Sequence, residues 1–150
     1  MSQATQISLR LATNADLPAL TKLTAELGYP EPEEAIRHRF ETVSSQPDHT
    51  IIVAEIEGEV VGLMSFHVLD LLYGSGRLGR ITAIVVTETM RGKGIGKLLV
   101  EKAEALAQEA KCNVIELTTN VKRVEAHKFY ESLGFEATHK RFTKHLKVSA

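Results

Sequence analysis

The sequence predicts a mixed α+β fold in a single domain that covers residues 1–150. Segments with the two-residue apolar alternation of strands are interspersed with segments that carry a helical apolar stripe, in irregular order. The chain has 150 residues, a length that suits one domain with a real core. Apolar residues make up 43% and charged residues 25% of it, as in a globular protein, and no repeat or interdomain linker interrupts it.

The first third of the chain predicts one strand and two helices. Ile7 to Ala12 alternates apolar and polar side chains, as a strand does. The helix that follows ends at Gly28. A second helix, from Pro32 to about Thr42, is expected to turn Ile36 and Phe40 inward. The first helix is expected to bury a stripe of leucines, namely Leu17, Leu20, Leu23 and Leu27.

The middle of the chain predicts a hairpin. Thr50 to Ile56 is rich in β-branched residues, and the turn Glu57-Gly58 joins it to a second strand from Glu59 to Asp70. Gly62 inside that strand indicates a bulge or a close approach of another backbone. Residues 71–78, with two glycines, are expected to form a loop.

The most informative stretch is a glycine-rich turn between an apolar strand and a long helix. The strand covers residues 80–86, the turn reads Arg91-Gly92-Lys93-Gly94-Ile95-Gly96, and the helix runs from Ile95 to Lys111. Backbone N–H groups in such a turn can point at one anion, and the helix N-terminus adds partial positive charge. Full charges come from Arg91, Lys93 and Lys97. The turn is therefore predicted to bind a pyrophosphate.

Spacing separates this turn from two other phosphate-binding turns. A loop of the NTPase kind needs Ser or Thr after its lysine, to bind magnesium, whereas Leu98 follows Lys97. The dinucleotide fingerprint Gly-x-Gly-x-x-Gly lies near the start of a βαβ unit. Here the pattern is Gly-x-Gly-x-Gly, and about ninety residues precede it. A nucleotide hydrolase and a dinucleotide-binding protein are therefore disfavoured.

The last third predicts a strand, a short helix and a final extended segment. Val114 to Thr119 has the strand pattern, and residues 120–123 form a polar connection. The short helix closes at Gly134, and the segment from Phe135 to about Val148 is expected to be extended. One face of the helix carries Ala126, Phe129, Tyr130 and Leu133.

Two of these motifs together resemble the GCN5-related N-acetyltransferase (GNAT) family. They are Arg-x-x-Gly-x-Gly at residues 91–96 and Phe-Tyr-Glu-x-x-Gly-Phe at residues 129–135. The resemblance implies a GNAT fold, with a central, mostly antiparallel twisted sheet of six to seven strands and about four flanking helices. It also implies an enzyme, an acetyl-CoA-dependent N-acetyltransferase.

The same resemblance implies the residues of the site. The pantetheine arm of acetyl-CoA is expected along the strand that ends at Val86, whose N–H would polarise the thioester, and the pyrophosphate on the glycine-rich turn. Tyr130 is expected to be the general acid, because a phenol titrates near pH ~10 and is protonated at neutral pH. The implied coenzyme contacts are Ile84, Val85, Val86, Arg91, Gly92, Lys93, Gly94, Ile95, Gly96, Lys97, Asn120 and Arg123.

A longer resemblance is to the bacterial aminoalkylphosphonate N-acetyltransferases. It rests on Glu-Leu-Thr-Thr-Asn-Val-Lys-Arg from residue 116, Ala-His-Lys-Phe-Tyr from residue 126 and Arg-Phe-Thr-Lys from residue 141. Those enzymes carry acidic residues on the strand before the turn, where this chain has Arg80, Thr82 and Ala83. The general base is thus unassigned, and its candidates are His67, Asp70 and His139. Two basic residues near this strand suggest an acidic group on the acceptor, namely Arg77 and Arg80.

The expected reaction moves the acetyl group of acetyl-CoA directly to a primary amine of a small molecule, in a ternary complex. Two alternatives stay open: acetylation of a protein or peptide amino group, and a non-catalytic sensor that binds acyl-CoA. Turnover on a panel of amines separates these hypotheses.

Composition limits the other partners. A net charge of −1 does not suggest a nucleic-acid partner, and Cys112, the only cysteine, allows no internal disulfide. The six histidines lack metal-ligand spacing, so no metal is expected. No apolar run has membrane-spanning length and no signal peptide is evident, which predicts a cytoplasmic location without a membrane partner. The family resemblance is compatible with a homodimer.

Overall fold

The structure is a computed structural model, which describes residues 6–74, 76–119 and 123–148. The chain forms two compact units, Met1–Thr118 and Thr119–Ala150. In the described residues, the strands are β1 (Ile7–Leu11), β2 (His49–Ile56), β3 (Glu59–Asp70), β4 (Arg77–Val86) and β5 (Ile115–Leu117). The α-helices are α1 (Leu17–Leu27), α2 (Glu33–Ser44), α3 (Ile95–Glu109) and α4 (Val124–Ser132).

The five strands form one sheet in the order β1-β2-β3-β4-β5, in the first unit. Strands β1 to β4 are antiparallel, and β5 runs parallel to β4. The mixed α+β class and the mostly antiparallel sheet are thus confirmed. The expected count of six to seven strands is wrong for the described residues, because the segment from Phe135 to Val148 contains no strand. Beyond Phe135, large apolar side chains of this segment are exposed, Phe142 by 91% and Val148 by 90%.

The β2–β3 hairpin forms as predicted. Glu57 and Gly58 have φ angles of +51° and +79°, the left-handed pair that a tight two-residue hairpin turn requires. Gly62 pairs with Ala54 and Val60 pairs with Glu55, so Val61 between them is an extra residue in β3. The bulge predicted at Gly62 is therefore confirmed.

A second bulge lies in β4. Ser65 pairs with Ala83 and Phe66 pairs with Ile81, so Thr82 is an extra residue in β4. Side chains alternate between the two faces of a strand, and an inserted residue reverses that alternation. Arg80 before the bulge and Ala83 after it therefore lie on the same face of the sheet.

Different helices pack on the two faces of the sheet. Helices α1 and α2 cover one face, and α3 covers the other. Two glycines allow α3 to come close: a Cβ on Gly62 would lie 3.3 Å from Leu99, and one on Gly79 would lie 2.8 Å from Phe66 and 3.2 Å from Ala107. The core under α1 and α2 consists of Leu17, Leu20, Leu23, Ile36, Phe40, Val53, Leu63 and Val85. The inward positions predicted for α1 and α2 are confirmed by this cluster, apart from the half-buried Leu27.

Several predicted boundaries are wrong by one to three residues. Strand β4 begins at Arg77 rather than Arg80, because its pairing with β3 continues as far as Asp70. Helix α3 ends at Glu109, since Lys111 has a φ of +64° that no α-helix can contain. Strand β5 has three residues, because it pairs with β4 only at Gly79–Ile81.

A buried carboxylate ties β1 to the start of α1. Asp16 is 6% exposed and accepts hydrogen bonds from both terminal nitrogens of Arg10, at 2.8 and 2.9 Å. The backbone N–H of Thr13 donates to the same carboxylate at 2.8 Å, and Arg10 Nε donates to Glu55 at 2.7 Å. The Arg10 guanidinium is the main reason that the pKa of Asp16 is lowered.

Candidate active site

The end of β4 presents backbone amides along an open edge. Beyond Gly79–Ile81, no further strand of the described residues pairs with β4 on the β5 side. The N–H of Thr87 donates to a β3 carbonyl at 2.8 Å. Alternation along the strand therefore turns the amides of Ile84 and Val86 to the open edge. Val85, the third predicted strand contact, turns its N–H to β3 and buries its side chain under α1 and α2.

The N-terminus of α3 has no side-chain cap. Gly94 is the N-cap residue, with a φ of +82°, and Gly92 has a φ of +80°. A Cβ on either glycine would meet no atom within 4 Å, so the space in front of the helix is open. The first helical hydrogen bond runs from the N–H of Leu98 to the carbonyl of Gly94, at 3.1 Å. The preceding amides have no acceptor inside the helix, and an anion could take that place. These amides belong to Ile95, Gly96 and Lys97.

Cationic side chains surround this helix start. Arg91, Lys93 and Lys97 are all exposed there. Arg91 Nε also donates to the carbonyl of Val86 at 3.2 Å, which links the turn to the edge of β4. Ile95 is only 1% exposed, so its side chain anchors the turn in the core and leaves its backbone to face the anion.

Glu26 on α1 fixes the exit of β4, a role that the sequence did not reveal. Its carboxylate accepts the hydroxyl of Thr87 at 2.9 Å and the backbone N–H of Glu88 at 3.0 Å. These bonds, chiefly the one from Glu88, lower the pKa of Glu26. No local pattern could predict the contact, because Glu26 and Thr87 are 61 positions apart in the chain.

A cavity of about 190 Å³ lies between the sheet and helices α1 and α2. Its floor is the cross-strand row Ile51–Ser65–Ala83, which adjoins the core row of Val53, Leu63 and Val85 on the same face. The lining is mainly apolar, and Arg39 of α2 provides a cation that is 59% exposed. Since Ala83 directly precedes Ile84, the cavity lies beside the open edge of β4. A small acceptor could therefore be held there.

A row of polar side chains borders the cavity on the same face of the sheet. His49, His67, Arg80 and Glu116 pair in register across β2, β3, β4 and β5. The Nδ1 atoms of His49 and His67 are 3.1 Å apart, and their ring centroids are 3.8 Å apart. Arg80 forms an ion pair with Glu116. Burial, and next the neighbouring His67, lower the pKa of His49.

The structure distinguishes the three candidate bases. His67 lies on the same face of the sheet as the cavity floor, two residues beyond Ser65. Asp70 is 74% exposed at the end of β3 and forms an ion pair with Arg77 at 3.0 Å. His139 belongs to the second unit, where its Nδ1 is 2.7 Å from the hydroxyl of Thr138. Arg77 and Arg80, predicted to meet an acidic acceptor, are both engaged by carboxylates of the chain itself.

In the second unit, α4 places Tyr130 among aromatic rings. The ring centroids of Phe129 and Phe135 lie 5.2 and 5.8 Å from it, in edge-on arrangements. Burial raises the pKa of Tyr130, with a smaller opposite effect of Arg123, so its hydroxyl is protonated at neutral pH. Arg123 directly precedes α4 and is exposed, whereas Asn120, the other predicted coenzyme contact near this helix, lies outside the described residues.

Two other features are absent from the described residues. Within them, no three His, Cys, Asp or Glu side chains are grouped as a metal centre would require. In the same part of the chain, no helix is both long enough and apolar enough to cross a membrane.

Comparison with known proteins gives consistent matches. The model of the acetyltransferase (GNAT) family matches residues 16–135, which include the glycine-rich turn and Tyr130. The aminoalkylphosphonate N-acetyltransferase of Salmonella typhimurium is 38% identical over 139 residues, which cover 92% of this chain and 90% of that protein.

Solved structures match over nearly the whole chain. The glucosamine-6-phosphate N-acetyltransferase of Arabidopsis thaliana has a TM-score of 0.83 at 25% identity, covering 95% of this chain and 99% of that one. An aminoglycoside N-acetyltransferase in complex with CoA has a TM-score of 0.87 and covers 99% of each chain. At 16% identity, this second likeness shows the fold alone.

Proposed function

Since this chain belongs to the GNAT acetyltransferase family, we propose that it transfers the acetyl group of acetyl-CoA directly to the primary amine of a small molecule. The chain is an acetyl-CoA-dependent N-acetyltransferase, with acetyl-CoA as co-substrate. Direct transfer requires both substrates in one ternary complex, because the site then replaces a bimolecular encounter with a local attack. The cavity beside the open edge of β4 supports this arrangement.

The observation that carries the proposal is the uncapped start of α3 beside the open edge of β4. The pyrophosphate of acetyl-CoA binds the amides that begin α3, together with the cations of the turn. The pantetheine arm bonds along the edge, where Ile84 and Val86 present their amides. The N–H of Val86 donates to the thioester carbonyl and stabilises the oxyanion that forms during transfer. Two further coenzyme contacts are proposed near α4, namely Asn120 and Arg123.

Tyr130 is the proposed general acid. Its position in the family motif supports the role, and its hydroxyl, whose pKa is raised by burial, is protonated at neutral pH and can donate to the departing thiolate. Its two aromatic neighbours limit the directions in which the ring can turn, which favours a fixed position for the hydroxyl.

The proposed acceptor is a small amine that carries a phosphonate, or a similar anion. Two of the similar proteins are named for acceptors that combine an amine with a phosphorus-centred anion, an aminoalkylphosphonate and glucosamine 6-phosphate. Arg39 at the cavity is suited to that anion, because its ion pair with Glu31 is long, at 3.4 Å, and exposed. Such pairs are weak and exchange readily for a better partner.

The test measures thiol release from acetyl-CoA with 2-aminoethylphosphonate, and with ethanolamine as the matched amine without a phosphonate. Faster release with the phosphonate is expected, and Arg39→Met should raise the KM for the phosphonate without changing that for ethanolamine. Coenzyme binding without thiol release on any amine would favour the sensor. Release with peptides alone would favour a protein or peptide acceptor.

Three broader features belong to the same proposal. Residues 1–150 act as one N-acetyltransferase domain, which the family match across both units supports. The protein works in the cytoplasm on small molecules, without a nucleic-acid or membrane partner, as its use of acetyl-CoA favours. The family resemblance is compatible with a homodimer, and the mass of the purified protein in solution tests that expectation.

A further inference from the structure

His67 stands where the cavity meets polar surroundings. On β3 it follows Ser65 by two residues, so both side chains lie on the face that α1 and α2 cover. On β2, His49 precedes Ile51 by two residues, with the same result. The cavity floor thus ends at a pair of imidazoles on the side away from the apolar core. Both rings are partly exposed, and each lies one row along the sheet from the cavity floor.

We propose that His67 is the general base that takes the proton of the acceptor ammonium, and that His49 is a positioning residue that orients it. This inference rests on the proposed function, since it requires an amine acceptor in the cavity. An ammonium group has no lone pair, so it must lose a proton before it attacks the thioester. The strand before the turn offers no carboxylate for this step, because it carries Arg80, Thr82 and Ala83.

The hydrogen bond between the imidazoles selects the tautomer that a base needs. At 3.1 Å between the two Nδ1 atoms, one donates and the other accepts. His49 is kept neutral by burial, which lowers its pKa, and so it can act as the acceptor. His67 then carries its proton on Nδ1 and leaves the lone pair of Nε2 for the substrate. When Nε2 takes up a proton, the bond to His49 continues to stabilise the imidazolium.

The charged neighbours are compatible with this assignment. Asp48 beside His49 raises the pKa of that residue, but less than burial and His67 lower it. Arg80, the β4 residue opposite His67, forms an ion pair with Glu116 on β5.

Every proton and electron pair in the proposed reaction is accounted for. His67 takes one proton from the ammonium and later releases it to water. The neutral nitrogen attacks the carbonyl carbon, the C–N bond forms, and the C–S bond breaks with its electron pair on sulfur. Tyr130 protonates the thiolate, and the second proton lost by the nitrogen restores the phenol. The products are the acetamide, free thiol and one proton.

The test is the pH dependence of kcat/KM for His67→Gln with 2-aminoethylphosphonate. Without the base, only the small fraction of amine that is already neutral can react, and this fraction grows with pH. The deficit against the natural protein should be about 100-fold near pH 7.5 and should fall to less than about tenfold near pH 9.5. The matched control is His38→Gln, an exposed histidine on α2, which should leave the profile unchanged. A deficit that is equal at all pH values, or activity within twofold of the natural protein, would overturn the assignment.

Three further variants separate a chemical role from a structural one. Added imidazole should restore activity to His67→Ala, because it can replace the missing base but cannot repair a misfolded core. His49→Leu should move the acid limb of the pH profile, and His49→Asn, whose amide can replace Nδ1, should restore it. No rescue by imidazole, together with an unmoved limb in His49→Leu, contradicts the proposal. If the natural protein acetylates no amine at all, the proposed function fails rather than this inference alone.

Discussion

Glu26 and Thr87 join the first helix to the end of β4 through a hydrogen bond of 2.9 Å between carboxylate and hydroxyl. The backbone N–H of the next residue donates to the same carboxylate at 3.0 Å. Strand β4 therefore leaves the sheet in a direction that α1 controls, just before the turn that is proposed to bind pyrophosphate.

A double-mutant cycle should detect this hydrogen bond as a coupling free energy between Glu26 and Thr87. Glu26→Ala and Thr87→Val should each lower the free energy of unfolding. The double variant should lose about 0.5–1 kcal/mol less than the sum of the two single losses, a small coupling because the hydrogen bond is partly solvated. Denaturant titration gives the four values. Glu34→Ala, an exposed glutamate on α2, should show no coupling with Thr87→Val. Strict additivity of the first pair would show that the contact contributes nothing.

Asp16 should make stability depend on acid. Asp16→Asn removes a carboxylate that is 6% exposed and held by Arg10, and should lower the free energy of unfolding at neutral pH by about 2 kcal/mol. The loss should be smaller than for a fully buried pair, because Arg10 is 40% exposed.

The sign of the pH effect follows from the lowered pKa of Asp16 in the folded protein. The stabilisation that the ionised Asp16 provides is complete above its unfolded-state pKa of about 4. It is lost as the pH falls through the lower pKa of Asp16 in the folded state. Unfolding curves of both proteins should therefore converge in acid. The matched control is Asp70→Asn, whose ion pair has a similar length but a 74% exposed carboxylate, and it should have little effect. Curves that keep a constant separation down to low pH would contradict the assignment.

Gly94→Ala should weaken coenzyme binding more than it weakens the fold. A non-glycine residue at a φ of +82° costs about 1 kcal/mol and shifts the first amides of α3, so the Kd for CoA should rise about tenfold. Gly74→Ala has a comparable φ of +64° and equally open surroundings, so it should cost similar stability without changing the Kd. Calorimetric titration of both variants with CoA tests this, and equal affinities would exclude α3 as the anion site.

Lys97→Glu should weaken CoA binding in a salt-dependent way. Charge reversal beside a pyrophosphate should raise the Kd about tenfold at low ionic strength, and the difference should shrink in about 1 M salt because exposed charges are screened. Lys111→Glu, just beyond the other end of α3, is the control and should leave the Kd unchanged. A deficit independent of salt would indicate a change of structure instead of lost electrostatic attraction.

Tyr130→Phe should reduce turnover without affecting coenzyme affinity. Loss of the proton donor should lower kcat about 100-fold, whereas the Kd for CoA should stay within about twofold because the ring remains in place. Tyr73→Phe, at a tyrosine that is 74% exposed in the first unit, should be silent. Steady-state rates and CoA titration provide both numbers; unchanged kcat would remove Tyr130 from the mechanism.

Features set by local chemistry could be predicted from the sequence. The turn at Glu57-Gly58 needs two left-handed residues in succession, and the end of β2 and the start of β3 follow from it. The end of α1 at Gly28, with a φ of +117°, is of the same kind. The glycine-rich turn and the helix that follows it were also predictable, because the glycines, cations and helix are consecutive in the chain.

Features set by distant partners could not be predicted. The contact of Glu26 with Thr87, and that of His49 with His67, depend on a register that no short segment contains. The start of β4 was misplaced because Gly74 and Gly76 suggest a loop, whereas pairing with β3 decides where the strand begins. The same limit applies after Phe135, where a sequence suited to extension lacks a neighbouring strand in the described residues.

The single surplus residue at Thr82 divides β4 into two stretches of opposite phase. Before Thr82, the odd-numbered side chains of β4 point towards α3, and after it the even-numbered side chains do. The backbone amides that point away from β3 change in the same way, from odd-numbered to even-numbered residues. If Thr82 were instead paired as an ordinary strand residue, the phase before it would continue to the end of β4. The amides of Ala83 and Val85 would then face the open edge and their side chains would turn away from the acceptor cavity, with every proposed catalytic group still present.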